Sequence, residues 1–155
     1  MATVNVMKNK RTQSRAGLAF ILSYCKRESK TVHEGRKLVS GVNCLPESAY
    51  QEFMNTKLQY GKTDDRMFYH FTQSFSPTED ITPETAHEIA VKFAEKMFPG
   101  FEVLVATHTD KAHTHSHFVV NSVSCENGYK YHSDNENIER LRAESDKLCL
   151  QYGLS

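Results

Sequence analysis

The chain has 155 residues, 39% of them hydrophobic and 25% charged, which is enough for one ordinary globular domain built on one core and too little for a second. No apolar run approaches the roughly 20 residues needed to span a bilayer, and the amino-terminal MATVNVMKNK lacks the apolar stretch of a secretion signal, so the expectation is a cytoplasmic protein. The zero net charge conceals an asymmetry: Lys8, Lys10, Arg11, Arg15, Lys26, Arg27, Lys30, Arg36 and Lys37 face only Glu28 and Glu34, so residues 1–40 carry +7 and the other 115 carry −7. A basic first quarter suits a polyanion such as a nucleic acid, and it equally suits a solvated face. Cys25, Cys44, Cys125 and Cys149 are scattered without a CxxC pair, so free, mostly buried thiols are expected in place of a disulfide framework or a structural zinc site.

In chain order, ATVNVM alternates like a first strand. SRAGLAFILSYC follows, with Leu18, Ile21, Leu22 and Cys25 at i, i+3, i+4 and i+7, the stripe of an amphipathic helix. The charged stretch KRESKTVHEGRKLVSGVNC reads as a loop or irregular hairpin. A second helix is expected from Glu47 to Tyr60, with Tyr50, Phe53, Met54 and Leu58 inward and Gly61 as its stop. MFYHFTQSF carries aromatic residues at period two, a strand. The third helix is capped by Thr82, opened by Pro83 and closed by Pro99-Gly100, and its inward residues are Ala86, Ile89, Ala90, Phe93 and Met97. FEVLVATH and HTHSHFVVNSVS are strands joined by a turn around TDKA, Asn127-Gly128 signals a two-residue hairpin turn, and a last helix places Ile138, Leu141, Leu148, Cys149 and Tyr152 on one side. Helices between strands early and a meander late favour an α+β sandwich with a central, largely antiparallel sheet.

The stretch HTDKAHTHSHFVVN, residues 108–121, holds four of the eight histidines. Side chains alternate along a strand, so His113, His115 and His117 share one face while Ser116 points to the other. A four-residue turn from Thr109 to Ala112 would pair His108 with His113 and bring a fourth imidazole to that face. Neutral imidazoles crowded on adjacent strands form a metal site, and three of them leave coordination positions open to a substrate. Asp110 in the turn has three open readings: metal ligand, a group that orients an imidazole, or an Asx residue that stabilises the turn.

The same stretch resembles the HxDxxHxHxHxxxN signature of conjugative relaxases of the MOB-P-like type, mobilisation nucleases within the histidine-hydrophobe-histidine (HUH) endonucleases. FILSYCKRESKT is similar to the family's nucleophile segment and YHFTQSFSPTEDITPETAHEIA to its second motif. The resemblance implies a five-stranded antiparallel sheet flanked by helices, with a divalent metal on His108, His115 and His117 and Tyr24 as the nucleophile. The ion would be Mn²⁺ or Mg²⁺, with Zn²⁺, Ni²⁺ or Co²⁺ as alternatives that imidazole ligands suit. It also implies site- and strand-specific nicking of single-stranded DNA at a hairpin-bearing origin of transfer, through a 5′-phosphotyrosine that later rejoins the strand. A relaxosome accessory protein and a secretion coupling protein would be partners, and the enzyme would work in the bacterial cytoplasm, DNA-linked during transfer. Replication-initiator or transposase types of the same superfamily, and a phosphodiesterase using metal-bound water, are the alternatives. Supporting roles are expected for Asp110 as a proton acceptor or orienting group, and for Lys26, Arg27, Lys30, Gln73, Ser74, His113 and Asn121 as DNA contacts. The sequence departs from the signature at Ser116, where a hydrophobic residue is usual; pointing away from the metal face, it should matter little. Family members are commonly longer, so residues 1–155 read as a relaxase catalytic domain.

Overall fold

The computed structural model of the protein describes residues 2–8 and 13–154. Lys10 and Arg11 of the basic quarter lie outside the described residues.

β1 (Ala2–Met7) buries Ala2 and Val4 and exposes Thr3 and Asn5, as its alternation requires. α1 (Arg15–Cys25) starts where the Ser14 hydroxyl accepts the Gly17 N–H at 2.9 Å, and it buries the expected stripe of Leu18, Ile21, Leu22 and Cys25. The charged stretch beyond it is more ordered than a loop. It forms a one-turn helix, α2 (Glu28–Thr31), a hairpin of β2 (Val32–His33) and β3 (Arg36–Lys37), and a sheet strand, β4 (Val39–Val42). The hairpin turns on Glu34 and Gly35, both in the left-handed region at φ 50° and 80°, which matches the twist of a two-residue connection.

A 3₁₀ turn at Pro46–Ser48 leads into α3 (Ala49–Gln59). Phe53 and Met54 face inward as expected, but Leu58 is 57% exposed and the neighbouring Lys57 is fully buried. That inversion has a polar cause: the Lys57 ammonium donates to the Met67 carbonyl at 2.7 Å, Asn121 Oδ1 at 2.6 Å and Ser122 Oγ at 2.8 Å, which uses all three of its protons. β5 (Phe68–Phe75), α4 (Pro83–Met97), β6 (Val103–His108), β7 (His115–Asn121) and α5 (Asn135–Gln151) complete the chain. Thr82 caps α4 and Pro83 opens it, as expected. Around Asn127-Gly128 the connection is four residues long instead of two. The Ser124 N–H reaches the Tyr129 carbonyl at 2.8 Å, and the Ser124 hydroxyl accepts the amides of Glu126 and Asn127. Gly128 sits at φ +79° with the Tyr60 ring where a β-carbon would be.

The sheet is antiparallel throughout, in the order β1-β5-β7-β6-β4. Both faces are covered, which makes three layers. On one face Phe71, Phe75, Val105, Phe118 and Val120 pack with Ile89, Phe93, Leu141 and Leu148 of α4 and α5. On the other, Phe68, Leu104, Ala106 and Val119 pack with Leu18, Leu22, Phe53 and Met54 of α1 and α3. The two central strands β7 and β6, buried along their whole lengths, carry the histidines.

Candidate metal centre

β6 and β7 pair so that His108 stands opposite His115 and Ala106 opposite His117. The connection therefore runs six residues, Thr109 to Thr114, and the expected His108–His113 pairing does not form. His113 falls outside the strand, with its ring 5.4 Å from that of His115. His108, His115 and His117 share the α1/α3 face, their ring centroids 4.2 to 5.1 Å apart, and one nitrogen from each lies within 4.8 Å of the other two. Ala106, the smallest side chain on its strand, leaves the His117 ring room opposite it.

Each imidazole has a partner that fixes its ring. His108 Nε2 donates to the Cys25 carbonyl at 3.0 Å, one of the acceptors that the end of α1 leaves without an intrahelical donor. His115 Nδ1 faces the His113 carbonyl at 3.4 Å. His117 Nδ1 meets Nε2 of His70, on β5, at 2.7 Å. The nitrogens left over are His108 Nδ1, His115 Nε2 and His117 Nε2, and the last is buried without a hydrogen-bond partner. An orphaned buried nitrogen converging with two other imidazoles fits a divalent cation, and held rings with one free lone pair are how histidine ligands are normally presented.

The electrostatics agree. Burial lowers all the pKa values here: His117 to about 2 with help from neighbouring histidines, His70 to about 4, and His108 and His115 also downward. The ligands are neutral at physiological pH and available to a metal. A second group, Cys25 with His70 and His117, is as compact, but burial raises the Cys25 thiol to about 12, and a thiol must ionise to bind a metal. The three-histidine group is the better centre.

Tyr24 stands next to it. Its ring makes an edge contact with His108 at 6.3 Å, with the Arg27 guanidinium at 5.0 Å and the Lys30 ammonium at 5.1 Å from its centroid. Since the following residue's carbonyl holds His108, the phenol and the trio are joined through one peptide unit. The other tyrosines singled out by sequence are elsewhere: on the other face of the sheet the Tyr69 hydroxyl donates to the Tyr131 carbonyl and the Tyr131 hydroxyl accepts from Asn137 of α5, and Tyr129 projects from the loop at the opposite end of β7.

The remaining expected residues divide. The Asp110 carboxylate bonds to Lys30 at 2.9 Å rather than to an imidazole, and the Lys30 ammonium lies over the Tyr24 ring. Lys26 turns away from the phenol and donates to the Pro46 carbonyl at 2.8 Å, beside a cavity of about 130 Å³ that it lines with Lys37, Val39 and Glu47. Ser74 is opposite His115 on the histidine face. Gln73 is not: it is fully buried on the other face, bonded to Ser145 of α5 at 2.8 Å. Asn121 is fully buried at the far end of β7, about 13 Å along the strand from His117 at ~3.3 Å per residue. There it accepts from Lys57 and donates to Glu102 at 2.8 Å and to the Phe53 carbonyl. Neither Gln73 nor Asn121 presents a group to a DNA strand, because both side chains are fully buried. Ser116 points away from the trio, as expected, and its hydroxyl enters a chain: Thr107 at 2.7 Å, His87 at 2.8 Å, then Ser40 at 2.7 Å. His70 and the Cys25 carbonyl went unnoticed in the sequence. His70 lies at period two with Phe68, the one available signal, and a backbone acceptor leaves none.

A family model described as the relaxase MobA/VirD2-like nuclease domain matches residues 7–154. The chain is similar to a protein named rlx from Staphylococcus aureus, 41% identical over 116 residues that cover 75% of this chain and 36% of that protein. A further rlx protein from Staphylococcus aureus is 34% identical over 137 residues, covering 86% and 41%. The group II intron-interrupted relaxase LtrB of Lactococcus lactis subsp. cremoris is 31% identical over 102 residues, covering 55% and 18%. The chain thus spans less than half the length of these relatives.

Proposed function

We propose, from the premise that this chain belongs to the MobA/VirD2-like relaxase nuclease family, that it is a catalytic domain that nicks single-stranded DNA at an origin of transfer through Tyr24. The observation that supports the reading is the Cys25 carbonyl on His108 at 3.0 Å, which ties the end of the helix that carries Tyr24 to the histidine group.

His108, His115 and His117 would hold the ion through the three free nitrogens described above. When bound, a divalent cation on neutral ligands supplies positive charge to the non-bridging oxygens of the scissile phosphate. Tyr24 Oη attacks phosphorus; the Oη–P bond forms as the P–O3′ bond breaks. The phenolic proton passes to solvent and the departing 3′ oxygen takes one up. Lys30, steadied by Asp110, and Arg27 place positive charge where the phenol becomes negative as it attacks. The phosphotyrosine keeps the energy of the phosphodiester, so attack by a 3′-hydroxyl in the same site rejoins the strand. Arg27, Lys30, Ser74 and His113 border this surface and are the groups for the DNA backbone there. The hairpin beside the nick, an accessory protein, a coupling protein and the bacterial cytoplasm belong to the same reading. Among the described residues no helix is long and apolar enough to cross a membrane.

The test is a single strand from the origin of transfer of the element that encodes the chain, labelled at its 3′ end and incubated with Mn²⁺. A labelled protein band should form, vanish with EDTA, and be absent in Tyr24→Phe, whose metal content, melting temperature and DNA affinity should persist. Cutting without a labelled band, undiminished in Tyr24→Phe, would mean hydrolysis by metal-bound water.

A further inference from the structure

We propose that His70 is a positioning residue that selects the tautomer of His117, and so determines whether the centre presents three lone pairs or only two. The inference rests on the three-histidine metal reading and is independent of Tyr24.

The argument is one of proton placement. Nε2 of His70 and Nδ1 of His117 are 2.7 Å apart, so one proton lies between them. If His70 Nε2 carries it, the neutral His117 ring bears its own proton on Nε2, which points an N–H at the other two imidazoles and blocks a cation. If His117 Nδ1 carries it, Nε2 is a free lone pair within the trio. The protein dictates the choice for the other ligands through backbone carbonyls, which can only accept: Cys25 for His108 and His113 for His115. His117 alone leans on a partner that can donate or accept.

The two ends of this pair are exposed to the consequence. His117 Nε2 and His70 Nδ1 are both buried and without a hydrogen-bond partner. With the proton on His117 Nδ1, His70 must carry its own on Nδ1, in the pocket where the Cys25 sulfur lies within 4.8 Å of a nitrogen of each ring. A cation at His117 Nε2 satisfies one orphan and holds the proton on Nδ1, so metal binding and the His70 contact reinforce one another. His70 cannot itself join the trio, because its nitrogen meets His117 on the side of the ring opposite the free Nε2. Its place is set by register: His70 stands opposite Val119, one diagonal step from His117 on the same face.

The test uses the whole chain without DNA. Mn²⁺ affinity is measured for the unaltered protein, His70→Leu and His70→Gln, and side-chain ¹⁵N shifts of His117 are read in the Zn²⁺-loaded protein. Expected are a loss of about ten- to hundredfold in affinity for His70→Leu, substantial recovery in His70→Gln, whose amide oxygen can accept, and a Zn²⁺-bound Nε2 with a protonated Nδ1. Melting temperatures of the metal-free proteins separate this from general damage; should His70→Leu fail to fold, His70→Gln and the ¹⁵N shifts decide. Unchanged affinity in His70→Leu, equal loss in a folded His70→Gln, or metal on His117 Nδ1 would each overturn the proposal. An unaltered chain that binds no Mn²⁺ would instead remove the metal centre on which it rests, whatever the fate of Tyr24.

Discussion

At the scale of the residue, Asp110 illustrates how one short distance redistributes roles. The signature places it beside the ligands, yet its carboxylate spends its contact on Lys30 at 2.9 Å, and that pair is partly exposed to solvent. An ion pair this exposed contributes little, a change in rate of about two- to threefold at most. Asp110→Ala should therefore slow adduct formation by that modest factor and leave Mn²⁺ affinity unchanged, as measured by cleavage kinetics and calorimetry side by side. A fall in metal affinity would put Asp110 back among the groups that orient ligands. The histidines themselves were legible because strand parity is written into sequence: residues 115 and 117 must share a face. Their register was not, since the length of the 109–114 connection depends on hydrogen bonds that leave no trace in residue type. For the same reason His70 stayed hidden; a histidine on a neighbouring strand joins a site only once the pairing of β5 with β7 is known.

At the scale of the element, α3 carries a lysine on its buried side and a leucine on its exposed one, contrary to its hydrophobic pattern. The helix is pinned to the sheet by charge as well as by Phe53 and Met54. Lys57 reaches Asn121 of β7, and Asn121 reaches Glu102 just before β6, so three elements meet at one cage. Burial pushes the Lys57 pKa down to about 8 and that of Glu102 up, which marks how much the cage relies on its hydrogen bonds. Lys57→Met keeps the volume but strands three acceptors, and should cost on the order of 3 kcal/mol in urea unfolding. A loss below about 1 kcal/mol would show that water takes the ammonium's place. Amphipathic periodicity rightly gave the four long helices, α1, α3, α4 and α5. It failed at Leu58 because a buried ammonium whose protons are all taken up by acceptors is tolerated inside, and periodicity scores only apolar groups. The charged stretch after α1 failed likewise: β4 pairs with β6 along one edge, and a half-buried edge strand needs little hydrophobic alternation.

At the scale of the whole molecule, the buried histidines set the response to acid. Burial holds His70 and His87 near a pKa of about 4 in the folded state, against about 6.5 when unfolded. Between those values the unfolded chain binds more protons than the folded one, so stability falls as pH drops from about 6.5 towards 4 and is unaffected by these groups above that window. At 1.36 kcal/mol per unit, each contributes up to about 3 kcal/mol across it. Urea midpoints of the metal-free protein should therefore fall steeply between pH 6.5 and 5 with a constant slope of free energy on denaturant. A flat profile would mean that these rings are protonated or solvated in the fold. His87 also belongs to the hydrogen-bond chain that runs through Thr107 to Ser116.

The hydrogen bond from His108 to the Cys25 carbonyl joins residues 83 positions apart, and that from His70 to His117 joins residues 47 apart. Helix α1 can form locally and early, but its last carbonyl finds its donor only after β6 has paired with β7 and the centre of the sheet has closed. Such distant contacts carry the largest loop-closure cost and come late in folding. A cation that needs all three imidazoles thus has nothing to bind in a half-formed chain, and it rewards only the finished one. At a hundred times its dissociation constant it would deepen the native well by about 2.7 kcal/mol. That gain, absent from the transition state, would appear as slower unfolding and not as faster folding. Helix α1 can thus carry Tyr24 from the start, while the three histidines come together only when the sheet is complete.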